Sequence, residues 1–108
     1  MESIKKSREF KQVYNHRRSV ANRLLVLYIR ENGGKTSRLG ISVSKKVGKA
    51  VERNRLKRRI KENIRKREEE IAKGYDLVVV VRIAAAGAEY NRIGQALMEL
   101  ITKQKILI

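Results

Sequence analysis

The sequence predicts an α+β fold: a two-layer sandwich with the element order α-β-β-β-α-β-α and a four-stranded sheet. Three patterns carry that reading. RLLVLYIR and RLGISVS alternate with period two, Leu56, Ile60, Ile64 and Ile71 recur at helical spacing, and YDLVVVVR is too continuously apolar to show a wet face. At 108 residues the chain fits one domain, 1–108, without internal repeat or linker.

Taken in order, Ser7 is placed to cap a short helix that ends near Asn15 and His16, with Phe10, Val13 and Tyr14 on one face. SVAN and RLLVLYIR follow as strands. The second sets Leu25, Leu27 and Ile29 on one side and Leu24, Val26 and Tyr28 on the other. ENGGKTS supplies a turn, its glycines free to take positive φ. RLGISVS places Leu39, Ile41 and Val43 opposite a face of small residues, Gly40, Ser42 and Ser44, which something else can approach closely. A helix is predicted from about Val51 to Ile71, with Gly74 as its stop signal. YDLVVVVR reads as a central strand, and after the loop IAAAGA, Ile93, Ala96, Leu97, Leu100 and Ile101 outline a last helix.

Charge narrows the partner. Lys and Arg number 27 against 11 acids, a net charge of +16, and self-repulsion at that density calls for a polyanion. Nucleic acid and an anionic membrane surface are the candidates. No apolar run approaches the length of a spanning helix, and no apolar segment follows the basic start as in a secretory signal. Cysteine is absent, which removes disulfides and thiolate metal sites and fits the cytoplasm.

Groups for protein-borne catalysis are scarce. His16 and Asp76 are the sole histidine and aspartate, neither with a motif partner. Glu68, Glu69 and Glu70 are adjacent on a helix and splay around it; they are expected to pair with Arg65 and Lys66, not to hold a metal. VSKKVGKA fails as a phosphate loop, with Val43 where the first glycine should stand and Ala50 after Lys49.

The basic segment is more informative. Lys45 to Arg67 holds twelve cations and two acids, Glu52 and Glu62. At about 100° per residue, turning Leu56, Ile60 and Ile64 inward leaves Asn54, Arg55, Arg58, Lys61 and Arg65 outward or on the flank. Arg53 falls nearer the apolar side. A solvated helix interleaves both signs of charge, whereas this one does so only after Arg67. A nuclear-address run shares the charge but is usually flexible and carries no core stripe. Phe10, Tyr14 and Tyr28 are three of only five aromatics; they can stack unpaired bases, although spacing alone favours ordinary core packing.

SVSKKVGKAVERNRLKRRIKE resembles the hallmark of the bacterial ribonuclease P protein subunit in the order and spacing of its Lys-Lys-Val-Gly, Ala-Val, Arg-Asn-Arg and Lys-Arg elements. REFKQVY, SVANR, LVLY and GYDLVVVVR are similar to other blocks of that family, so the resemblance spans nearly the whole chain. It implies a ribosomal protein domain 2-like fold, with a mixed sheet and a left-handed crossover through the basic helix against the right-handed default. It implies a protein that helps a catalytic RNA remove the 5′ leader of precursor transfer RNA, with Mg2+ held mainly by the RNA. By resemblance Lys46, Arg53, Asn54, Arg55, Lys57, Arg58 and Lys61 lie against the catalytic RNA, and Arg65, outward on the same helix, is expected to join them. Phe10, Tyr14 and Tyr28 then line a cleft for the leader, which reverses the preference from spacing, and Gly40, Ser42 and Ser44 suit its floor. The implied state is a monomer within the holoenzyme, with no membrane or small-molecule partner and no catalytic residue on this chain. Two departures stand out: IAAAG replaces a loop that commonly carries proline, and the basic N-terminal extension is short. The alternatives are a ribosomal-type RNA-binding protein outside any enzymatic assembly and, against the missing catalytic clusters, a nuclease acting alone.

Overall fold

Alternation along the strands decides which side of the sheet each residue serves. In the computed structural model, which describes residues 1–108, the elements are β1 (Glu2–Ser3), α1 (Ser7–Asn15), β2 (Ser19–Ala21), β3 (Leu25–Glu31), β4 (Arg38–Val43), α2 (Ala50–Arg67), β5 (Tyr75–Val81) and α3 (Tyr90–Lys103). They build one mixed sheet in the order β1-β4-β5-β3-β2. β1, β4 and β5 run parallel, whereas β3 is antiparallel to β5 and to β2. α2 makes the crossover between the parallel neighbours β4 and β5. The sheet has five strands where the sequence predicts four. The extra one, β1, is two residues long, too short to display a period, and exists only through its pairing with Arg38 and Leu39.

One face is apolar throughout. Leu25, Leu27 and Ile29 of β3 stand beside Val81, Val79 and Leu77 of β5, which stand beside Val43, Ile41 and Leu39 of β4. α2 contributes Leu56, Ile60 and Ile64 to this core, and α3 contributes Ile93, Ala96, Leu97, Leu100 and Ile101. The two helices meet where Asn63 lies against Gly94: a Cβ there would come 2.4 Å from the Asn63 Oδ1. On the opposite face α1 covers only part of the sheet, over a second, small cluster of Ile4, Val13 and Val78.

Several boundaries differ from the predicted ones. Ser7 is the first residue of α1, not its cap; the N-cap is Lys6, which makes no side-chain capping bond. Leu24 is not on the Val26 face. Asn22 Oδ1 accepts from the backbone N–H groups of Leu24 and Leu25 at 3.1 and 3.0 Å, and this bend turns Leu24 into the main core. α2 stops at Arg67, and a single 3₁₀ turn over Glu68–Glu70 follows. Ile71 is buried as expected, but from an extended segment bridged to Leu107, so its helical spacing is coincidental. Gly74, with φ of +88°, serves the turn into β5. Ser44 lies beyond the end of β4. No helix is long and apolar enough to cross a membrane.

Candidate nucleic-acid interface

The partly covered face of the sheet becomes a groove because of two small residues in β4. At Gly40 a Cβ would lie 2.8 Å from two atoms of the Phe10 ring, so glycine is what lets α1 settle onto the sheet. Gly40 is therefore sealed beneath Phe10, and of the small residues predicted for the floor only Ser42 stays open to the groove. The groove, about 420 Å³, is lined by Ser7, Phe10, Lys11, Tyr14, Ile41, Ser42, Val43 and Lys57.

The three predicted aromatics come together. Phe10 and Tyr14 have ring centroids 6.4 Å apart, and Tyr14 meets Tyr28 edge-to-face at 4.8 Å. All three are half-buried, packed on the small cluster beneath α1; Phe10 and Tyr14 line the groove, and Tyr28 adjoins it through its edge contact with Tyr14. Core packing and stacking are thus not exclusive here. Burial pushes the Tyr14 phenol above its ordinary range, with the Ser42 hydroxyl opposing it and the neighbouring Tyr28 adding to the rise. Tyr14 is therefore a neutral hydrogen-bonding group at physiological pH.

The basic helix borders this groove. Lys57 lines it, and one turn on Lys61 joins Arg65 in a second depression beside Ser3 and Leu39 of the β1–β4 edge. Asn54, Arg58, Lys61 and Arg65 are exposed. With Lys57 they form one stripe at i, i+3 and i+4 spacing, and its four cations have no acidic partner. Lys46 is exposed in the turn before α2.

Arg53 and Arg55 sit differently. The Arg53 guanidinium donates to the Gly48 carbonyl at 2.9 Å, holding the SKKVGK turn against the helix. Arg55 lies off the stripe and pairs with Glu52 at 3.2 Å. Arg59 donates to the Ala88 carbonyl and ties α2 to the IAAAGA loop. That loop is a 3₁₀ turn over Ile83–Ala85 with Ala85 buried. The glutamates after α2 pair with Arg67 and the Met1 amine, not with Arg65 and Lys66.

Sequence reasoning missed a charged cluster behind the groove. Asp76, completely buried, accepts from Arg38 Nε at 2.9 Å, Arg38 Nη2 at 2.7 Å and Asn32 Nδ2 at 2.9 Å. Arg38 Nη1 also donates to Glu9 on α1. Burial raises the Asp76 pKa, but the bonds from Arg38 and Asn32 and the charges of Arg38 and Arg30 outweigh it and hold the carboxyl below its usual range. Glu9 is lowered chiefly by its bond to Arg38. Glu9, Arg38 and Asp76 are far apart in the chain, so no local pattern announces the cluster.

Fold and site together define a class: a small basic α+β domain whose solvent-facing features, a cationic stripe and an aromatic groove, suit a polyanion carrying flat rings. The comparisons place it within that class. The family profile described as Ribonuclease P matches residues 1–105. The chain is 50% identical over 104 residues to the ribonuclease P protein component of Clostridium botulinum, covering 95% of this chain and 94% of that protein. It is 41% identical over 104 residues to the one from Alkaliphilus oremlandii, covering 96% and 91%. Among solved structures, the Staphylococcus aureus RNase P protein superposes with a TM-score of 0.92 at 37% identity, covering 100% of this chain and 99% of that one. The chain belongs to the ribonuclease P protein family.

Proposed function

We propose that this chain is the protein subunit of the ribonuclease P ribonucleoprotein, and that it promotes 5′ maturation of transfer RNA by binding two RNAs at once. The observation that carries this reading, beside family membership across residues 1–105, is the shared border of groove and stripe at Lys57. A single-stranded leader laid over Phe10, Tyr14 and Tyr28 stacks its bases on the exposed ring surfaces and runs its phosphates past Lys11 and Lys57. The catalytic RNA lies along Asn54, Arg58, Lys61 and Arg65, with Lys46 at the near end. Arg53 acts by fixing the turn that presents Lys46, and Arg55 contacts RNA from the neighbouring flank.

The chain assists the reaction by positioning and by charge. Cations between two polyanions screen their repulsion, and release of counterions supplies much of the affinity. The carboxylates give Mg2+ no ligand set of their own. Asp76 and Glu9 are committed to Arg38, Glu70 to Arg67 and Glu68 to the Met1 amine, and no three potential ligands converge. On this reading Mg2+ is held mainly by the RNA, and this chain contributes binding and position.

Reconstitution tests the reading. Added to a bacterial ribonuclease P RNA at low magnesium, the protein is expected to stimulate removal of the 5′ leader from precursor transfer RNA. An RNA that gains no activity, although the protein binds it, would favour a ribosomal-type RNA-binding role.

A further inference from the structure

The groove has one wall on the sheet and one on α1, and the two are joined by the charged cluster behind it. Asp76 belongs to β5, the central strand, and its side chain is 1% exposed, so its position is fixed by the sheet. Arg38 grips both of its oxygens in a bidentate pair and reaches with its remaining terminal nitrogen to Glu9. Glu9 precedes Phe10 directly and lies five residues before Tyr14 on the same helix. The apolar attachment of α1 is slight, since Val13 is its one buried residue. The seat of Phe10 on Gly40 restricts approach but does not prevent the helix from tilting away.

We propose that Arg38 is a positioning residue for leader recognition: anchored on Asp76, it holds Glu9 and so fixes the spacing at which α1 presents Phe10 and Tyr14 to a single strand. This rests on the assignment of the groove to the leader. Only the planar guanidinium can engage both carboxylates at once in this geometry, so lysine is no equivalent. The ion pair to Glu9 is a quarter exposed on each side, which limits its worth to about that of a surface pair.

The test avoids Arg38→Ala, which would leave Asp76 buried without its partner. Glu9→Ala and Glu9→Gln keep the Arg38–Asp76 pair, and circular dichroism checks that both fold. Holoenzymes reconstituted with each protein are compared for affinity toward precursor transfer RNA carrying a long leader or a single-nucleotide leader, and each protein for affinity toward the catalytic RNA alone. The expected result is a loss of about two- to fivefold for the long leader in Glu9→Ala, a smaller loss in Glu9→Gln, and no change in the other two affinities. A wild type that distinguishes leader lengths while Glu9→Ala does so equally well overturns the positioning role and leaves the groove assignment standing. Equal losses in all three affinities reduce the contact to fold maintenance and overturn it as well. A wild type indifferent to leader length removes the groove assignment and this proposal together.

Discussion

Individual side chains here divide into those that meet solvent and those that hold other groups in place, and the division cuts across charge. Tyr14 and Tyr28 touch each other through an edge and are only half-buried, so on the proposed reading their loss affects a single strand stacked there more than a folded substrate without one. Tyr14→Ala and Tyr28→Ala are expected to weaken holoenzyme binding of precursor transfer RNA by about 1 to 3 kcal/mol each and to leave mature transfer RNA nearly unaffected, as titration of both substrates will show. Equal losses would mean the groove does not read the leader. Gly40 gives the converse case, a residue with no chemistry whose absence of a Cβ shapes the site. Gly40→Ala must push Phe10 aside, with an expected cost of about 1 to 3 kcal/mol in urea unfolding and a loss of leader affinity from the displaced ring. An alanine variant of unchanged stability and leader affinity would show that Phe10 relaxes freely.

At the scale of the element, α2 does two jobs with one period. Its apolar row enters the core, and its cations divide into a stripe of four without acidic partners, a set of four engaged in staples or ion pairs (Arg53, Arg55, Arg59 and Arg67), and Lys66, exposed off the stripe. The consequence is a ranking. Arg58→Ala with Lys61→Ala should lower affinity for the catalytic RNA and flatten the dependence of log K on log salt by about two contacts. Arg55→Ala, removing a cation already paired with Glu52, should do less, and a salt titration of the three proteins separates them. The helix faces were legible in the sequence because Leu56, Ile60 and Ile64 repeat locally, and so were β3, β4, β5 and α3. The end of α2 was not, because Ile71 satisfies the same spacing from an extended segment whose partner, Leu107, is remote. Nor were the roles of Arg53 and Arg59, which depend on loop carbonyls that composition cannot place. The joining of Lys57 to the aromatic groove comes from the crossover, and only the fold supplies it.

For the whole molecule, stability couples to pH through the buried carboxylate. Asp76 and Glu9 are both depressed in the folded state, so the unfolded chain binds protons first. Their contribution is present above the ordinary carboxylate range and is lost as pH falls through the lower folded values, that is, below about pH 4. The urea midpoint should therefore drop between pH 5 and pH 3, and Asp76→Asn should reduce that slope while lowering stability at pH 7. A slope unaltered by the asparagine would locate the acid sensitivity elsewhere.

The two apolar clusters differ greatly in size, 21 buried residues on one face of the sheet against three on the other. Local opening follows such inequalities, because the free energy of releasing an element scales with what it buries. Amide hydrogens of α1 should exchange with solvent deuterium well before those of β5 or the middle of α2, through an opening that leaves the rest of the chain intact. A common exchange rate for all three would indicate a single cooperative unit. On this account the protein can part with its aromatic wall while retaining its cationic helix, and a strand held under α1 would register as slowed exchange in that helix alone.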